Sequence, residues 1–247
     1  MYVNTSGLVL RETAYRESSK ILTVLTVAHG KLTVTARGAL RRNSKLAAAA
    51  QILVFSEMTL FCNRDRWTLT QARSIEQFRG LQFDVEKLAL GSYFAQLAEA
   101  VSDEDSPNQE LLPLCLNSLY ALSEGMKELS YVKPAFELRL LATAGFAPLI
   151  SHCTVCGERE PERSILDIMG GILYCAGCTS KEGAELGRGA LQAARYIIGC
   201  DMKKLFSFSM GDSALRELAS ASERYLLQQL DRRFRTLEFY KQLGVRS

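Results

Sequence analysis

The chain has 247 residues, 47% of them hydrophobic, and 30 Lys plus Arg against 27 Asp plus Glu leave a net charge of +3. That is enough apolar material to bury a core in one to three small domains, which excludes a disordered chain. No apolar run approaches the roughly 18 residues of a membrane span, and the opening Met-Tyr-Val-Asn-Thr-Ser-Gly lacks the basic start and apolar stretch of a secretory signal, so a soluble cytoplasmic protein with no membrane partner is expected.

The small net charge conceals an asymmetry. Residues 1–80 carry 12 basic and 5 acidic side chains, a net +7, whereas residues 81–150 carry 4 and 10, a net −6. A polyanion partner is therefore expected for the N-terminal part alone.

In chain order, residues 7–11, 19–26, 31–36, 53–61 and 67–72 are rich in Val, Leu, Thr and aromatics and predict five strands. The second and third, and the fourth and fifth, are separated by hairpin-length connections. Between the third and fourth come a basic loop, residues 37–45, and an Ala-rich stretch, residues 46–52, of the length of a helical turn. Five strands with a helical insertion at that point is the order of an OB barrel, whose face and loops hold single-stranded nucleic acid. Arg37, Arg41, Arg42 and Lys45 of the basic loop are the first candidates for phosphate contact, with Gly38 allowing close approach of the backbone. Lys20, Lys31, Arg64 and Arg66 are secondary candidates. Trp67 and Phe61 are expected in the core before they are expected as stacking platforms.

Past residue 80 the period changes to that of helices. Val85, Leu88, Ala89, Tyr93, Leu97 and Val101 mark a first helix opened by Asp84, and Leu112, Leu116, Leu119 and Leu122 mark a second over 110–128. Pro134 is expected to open a third, which Gly145 closes before Pro148. Two more are expected over 188–198 and 213–234.

Between the third and fourth helices stand Cys153, Cys156, Cys175 and Cys178, in the pattern C-x2-C-x18-C-x2-C. Two intervening residues let both sulfurs of a pair reach one ion from a tight knuckle, with Gly157 and Gly177 available for the turn, and 18 residues suffice for a hairpin between the pairs. A zinc ribbon at 150–182 is expected. Disulfides fit a cytosolic chain poorly, and a single redox motif needs no second copy at ribbon distance. A catalytic zinc requires an open coordination position, whereas four cysteines close the shell, so the zinc is expected to be structural. With His29 and His152 as the only imidazoles, and no nucleophile elbow or phosphate loop, an enzyme is not expected. The fold class expected is thus α+β and multi-domain: an OB domain at 1–80, then a helical domain at 81–247 that carries the ribbon.

Several stretches together resemble the RecO family of bacterial recombination mediators. They are Gly7-Leu8-Val9-Leu10 with Tyr15 and Glu17-Ser18-Ser19, Thr26-Val27-Ala28-His29-Gly30-Lys31, Ala36-Arg37-Gly38-Ala39-Leu40-Arg41-Arg42, Phe136-Glu137-Leu138-Arg139-Leu140-Leu141 running to Gly145-Phe146-Ala147-Pro148, and the two cysteine pairs with Gly170-Gly171. The resemblance covers nearly the whole chain and points to the zinc-bearing branch of the family. It implies DNA repair and recombination: binding of single- and double-stranded DNA, annealing of complementary strands, partnership with RecR, and help in loading RecA onto DNA coated by single-strand binding protein. In some relatives that protein's acidic tail docks on the helical domain; with residues 81–150 at a net −6, weak and salt-sensitive docking is expected here, with Arg139 as the candidate contact. The competing class is a zinc-ribbon protein adaptor or transcription factor without annealing activity.

Overall fold

Strand β1 (Tyr2–Tyr15) is long enough to pair along its N-terminal half with β4 (Phe55–Asn63) and along its C-terminal half with β2 (Ser19–Thr26). With β3 (Gly30–Ala36) and β5 (Arg66–Glu76) it closes a barrel of order β1-β2-β3-β5-β4, in which only β3 and β5 run parallel. This is the strand order of the OB fold. The computed structural model that shows it describes residues 1–104, 106–179 and 182–244.

Val9, Leu22, Val24, Leu32, Val34, Met58, Leu60 and Leu69 fill the barrel, each at most 2% exposed. Their alternation with polar residues on β3 and β4 is the period-2 pattern of strands with one face on a core. Trp67 packs against this cluster and meets the His29 ring at 5.7 Å between centroids, so it serves the core as expected. Between β4 and β5, Arg64 and Asp65 both take left-handed backbone angles (φ 47 and 59), which makes a two-residue turn matched to the strand twist.

The strands differ from expectation at their ends. β1 begins at Tyr2 because its pairing with β4 carries the strand through Asn4, Thr5 and Ser6. Leu53 and Val54 stand outside β4: Leu53 has φ 62 and donates its N–H to Val9 O at 2.8 Å, turning the chain into the strand. The Ala-rich stretch forms a turn closed by Ala50 N–H to Leu46 O at 3.0 Å.

Two compact units result, one of Met1–Glu124 with the segment that starts at Phe234, the other of Gly125–Arg233. In the first, α1 (Val85–Val101) is capped by Asp84, whose carboxylate accepts from Glu86 and Lys87 N–H, and α2 (Leu111–Glu124) follows. A further helix, α6 (Arg235–Gly244), was not legible in the sequence and belongs to this unit. Phe234 meets Tyr93 of α1 edge-on and Thr236 hydrogen-bonds Gln96, which fixes α6 on α1.

The second unit holds α3 (Leu129–Thr143), α4 (Arg188–Gly199) and α5 (Asp212–Leu230) around a small sheet of β6 (Arg163–Asp167), β7 (Ile172–Cys175) and β8 (Ala184–Gly187). The sheet order is β7-β6-β8, so the expected hairpin gains a third strand on the far side of β6. Helix α3 starts five residues before Pro134. Lys133, only 7% exposed, anchors that first turn by reaching Glu137 (2.8 Å) and Glu223 of α5 (2.9 Å). Ser222 completes the network with a 2.7 Å bond to Glu137, which is fully buried. Gly145 (φ +86) ends α3 as expected, with Gly145 and Phe146 N–H returning to Ala142 and Leu141 carbonyls. The ribbon packs on the helices of its own unit through Arg195, which bonds the carbonyls of Ile150, Ser151 and Arg159 and the Glu160 carboxylate. Among the described residues no helix is long and apolar enough to cross a membrane.

Candidate nucleic-acid groove and metal centre

Three connections of the barrel meet at one end and enclose an open groove of about 950 Å³. The first is the β1–β2 turn, where Arg16 takes φ 55 and lays its guanidinium 5.1 Å from the centre of the Tyr15 ring. The second is the loop after β3, pinned to that turn by Leu40 N–H on Ser18 O (3.0 Å) and Gly38 N–H on Ser19 Oγ (3.2 Å). Gly38 has φ +69, a left-handed angle that glycine adopts without strain, where the chain reverses and Arg41 N–H returns to Gly38 O. The third is the start of β5, where the parallel pair Thr35 and Thr68 brings Arg66 alongside β3.

The groove is therefore lined by Arg16, Arg37, Arg41 and Arg66 with a single acid, Glu17. None of the four arginines has an ion-pair partner among the described residues, and Arg37, Arg41 and Arg66 are exposed. Four unpaired guanidiniums over one concave surface make a strong local field for an extended anion, and the hydroxyls of Ser18, Ser19, Thr35 and Thr68 add hydrogen-bonding capacity.

The remaining sequence candidates fall elsewhere. Arg42, Lys45 and Arg64 are exposed but do not line the groove. Lys20 is bound to the Glu12 carboxylate (2.8 Å) and Ala50 O (3.3 Å), and Lys31 to Glu99 O (3.1 Å). Arg16 was missed as a site residue, although its place in the connection between the first two strands of an OB barrel could have singled it out. Arg139, half-buried on α3, gives its guanidinium to the carbonyls of Ile197 and Ile198 at the end of α4. That contact suits a cation at a helix C-terminus.

The second site is the cysteine cluster. The Sγ atoms of Cys153, Cys156, Cys175 and Cys178 all lie within 4.8 Å of one another, and Cys156 and Cys175 approach to 3.6 Å, well beyond a disulfide bond. The first knuckle is formed by Gly157 N–H on Cys153 O, by Cys153 N–H on Glu158 O, and by Gly157 at φ +77. Gly177 has no left-handed backbone angle, so the second knuckle does not require its glycine. The β7 backbone holds the first knuckle in place, with Thr154 N–H on Leu173 O (2.9 Å) and Cys175 N–H on Cys153 Sγ (3.2 Å). His152 bonds Ser151 and is not part of the cluster.

The thiols influence one another strongly. Burial pushes the Cys153 thiol up, but the N–H groups of Cys156, Cys175 and Val155 pull it down further, to about 6. Burial and the neighbouring cysteines push Cys175 up to about 12, and the hydrogen bond with Cys156 and then burial push Cys178 to about 11. Cys153 ionises readily while Cys175 and Cys178 resist, the behaviour of crowded anionic ligands that a bound cation relieves. The four cysteines thus have the donor chemistry and the spacing to hold a metal ion.

Comparison with known proteins places the whole chain in one family. The family model described as Recombination protein O N terminal matches residues 1–78, and that described as Recombination protein O C terminal matches residues 82–238. The chain is 34% identical over 244 residues to DNA repair protein RecO of Acetivibrio thermocellus, covering 98% of this chain and 97% of that one. It is 30% identical over 239 residues to DNA repair protein RecO of Caldicellulosiruptor bescii, covering 97% and 98% of the two chains. With DNA repair protein RecO of Symbiobacterium thermophilum it shares 31% identity over 242 residues, covering 96% and 95%. The chain belongs to the RecO family of DNA repair proteins.

Proposed function

We propose that this protein is a DNA-binding recombination mediator that works by binding rather than by catalysis. The observation that carries the reading is the convergence of Arg16, Arg37, Arg41 and Arg66 on one groove of an OB barrel, unpaired by any described acid. Such a groove takes the phosphates of single- or double-stranded DNA with little regard to sequence, because guanidinium-phosphate contacts carry no base information. Arg42, Lys45, Arg64, Lys20 and Lys31 enter as contributors to the field of the barrel rather than as contacts in the groove. Residues 1–80 are then the nucleic-acid domain and residues 81–247 the helical domain with its ribbon, a division by role.

The metal is zinc. Zn–S bonds of about 2.3 Å in a tetrahedron place sulfurs about 3.8 Å apart, and the 3.6 Å between Cys156 and Cys175 fits that edge. When bound, zinc crosslinks the two knuckles and contributes folding energy.

By family membership the functions extend to annealing complementary strands and, with RecR, loading RecA onto DNA covered by single-strand binding protein in the cytoplasm. Arg139 remains the candidate for that protein's acidic tail only if the tail can reach past its contact with α4. An annealing assay with two complementary labelled oligonucleotides tests the reading. The wild type should accelerate duplex formation at least about tenfold over the spontaneous rate, and alanine at Arg37, Arg41 and Arg66 together should remove most of the gain. Equal rates with and without the wild-type protein would leave the adaptor reading in its place.

A further inference from the structure

The outward row of β3 runs Lys31, Thr33, Thr35, Arg37, and its far end lies in the arginine groove. β5 pairs with β3 only at Val34 and Thr35, so the edge at Lys31–Thr33 has no barrel strand beside it. The chain leaving α1 covers that edge. Lys31 N–H donates to Asp103 O (3.3 Å), Glu104 bridges Gly30 and Lys31, and Lys31 Nζ donates to Glu99 O (3.1 Å). Gly30, at φ +60, permits the approach: a Cβ there would fall 2.3 Å from Ser106 O.

Backbone contacts alone would protect the edge. The Glu104 carboxylate does something else, accepting from Thr33 Oγ1 at 3.3 Å on the same outward row that leads into the groove. Two residues of strand separate Thr33 from Thr35, about 6.6 Å. A negative charge thus stands where a polyanion leaving the groove along β3 would pass next.

We propose that Asp103 and Glu104 form a displaceable acidic cover, and that the Lys31–Thr33 stretch beneath it is a second contact site for the phosphates of a single strand running on from the groove. The inference rests on the reading of the groove as a nucleic-acid site. In the wild type the carboxylate competes with a long strand for that stretch, so Lys31 is gained only in part, whereas a short strand stops at Thr35. The cover therefore sets a length threshold for tight binding.

The test is fluorescence anisotropy on the full chain with labelled oligothymidylates of 5 and 15 nucleotides, between 50 and 200 mM salt. Glu104→Gln should bind the 15-mer about twofold to threefold more tightly, the effect of removing one charge about 6.6 Å from a phosphate in water, screened further as salt rises. Its salt slope should steepen by about 0.7 as Lys31 adds one contact. The 5-mer should gain less, and Lys31→Ala in the Glu104→Gln background should abolish the added slope. Glu104→Ala, checked for native circular dichroism, guards against an effect peculiar to glutamine. Wild-type affinity and slope for the 15-mer in both Glu104 variants would overturn the cover. A gain equal for both lengths and surviving Lys31→Ala would overturn the second contact site. Salt-independent binding by every protein would instead overturn the groove reading, and this inference with it.

Discussion

Replacing Lys133 by methionine should destabilise the second unit by about 3–5 kcal/mol, the range for removing one partner of a buried ion pair. Methionine keeps the aliphatic stem, so the loss is of charge and hydrogen bonds rather than of packing. Those are the 2.8 Å contact with Glu137 and the 2.9 Å contact with Glu223, and Glu137, at 0% exposure, cannot turn to water when its cation goes. Burial works against the Lys133 ammonium, but Glu137 and then Glu223 outweigh it and raise the group above its ordinary 10.5. A raised folded-state value means that the contribution is fully present below about 10.5 and is lost only as pH climbs through the higher folded value. The cost of Lys133→Met should therefore be full at pH 7. Urea unfolding followed by circular dichroism, in zinc-containing buffer, measures it. Lys133→Met combined with Glu137→Gln should recover more than half of the loss, since glutamine still accepts the Ser222 hydroxyl. A loss below about 1 kcal/mol, or a double variant no more stable than the single one, would refute the reasoning.

Other outcomes follow from the same contacts. Cys175→Ser should lose the bound metal and unfold the ribbon at lower temperature, read by metal analysis and thermal melting of protein purified without chelator; zinc absent from the wild type would sink the assignment. Gly171→Ala should destabilise by about 1–3 kcal/mol, because Gly171 sits at φ +65 and a Cβ would fall 2.6 Å from the Tyr225 hydroxyl; a melting temperature equal to wild type would contradict it. Arg139→Ala should cost about 1–2 kcal/mol, seen as a lower urea midpoint, through loss of the cap on Ile197 and Ile198 carbonyls. Titrating a labelled acidic tail peptide against the folded Arg139→Lys variant then separates that structural role from a partner contact.

What could be read from the sequence was what repeats locally. The five strands followed from their own β-rich composition, the knuckles from two-residue cysteine spacing, and the ends of α1 and α3 from Asp84 and Gly145. What could not be read depends on distant partners. The N-terminal half of β1 is strand because β4 lies beside it, α6 is held by Phe234 against Tyr93, and the first turn of α3 is fixed by a lysine whose acids lie four and 90 residues away. At the groove the basic loop was evident as a charge run, but the run does not coincide with the site. Arg42 and Lys45 fall outside it, Arg66 was legible as a secondary candidate, and Arg16 is brought in by barrel closure, which no linear count of charge contains.

The most direct test of the account pits those arginines against equally basic neighbours. Single-strand affinity should be measured from 50 to 200 mM salt for two triple-alanine variants, one at Arg37, Arg41 and Arg66, the other at Arg42, Lys45 and Arg64. Both remove three charges from the barrel, but only the first removes groove contacts. The account predicts that the first lowers the salt slope by about 2, at about 0.7 per lost single-strand contact, while the second stays close to wild type. Equal losses in the two variants, or none in the first, would contradict the groove as the place where DNA binds.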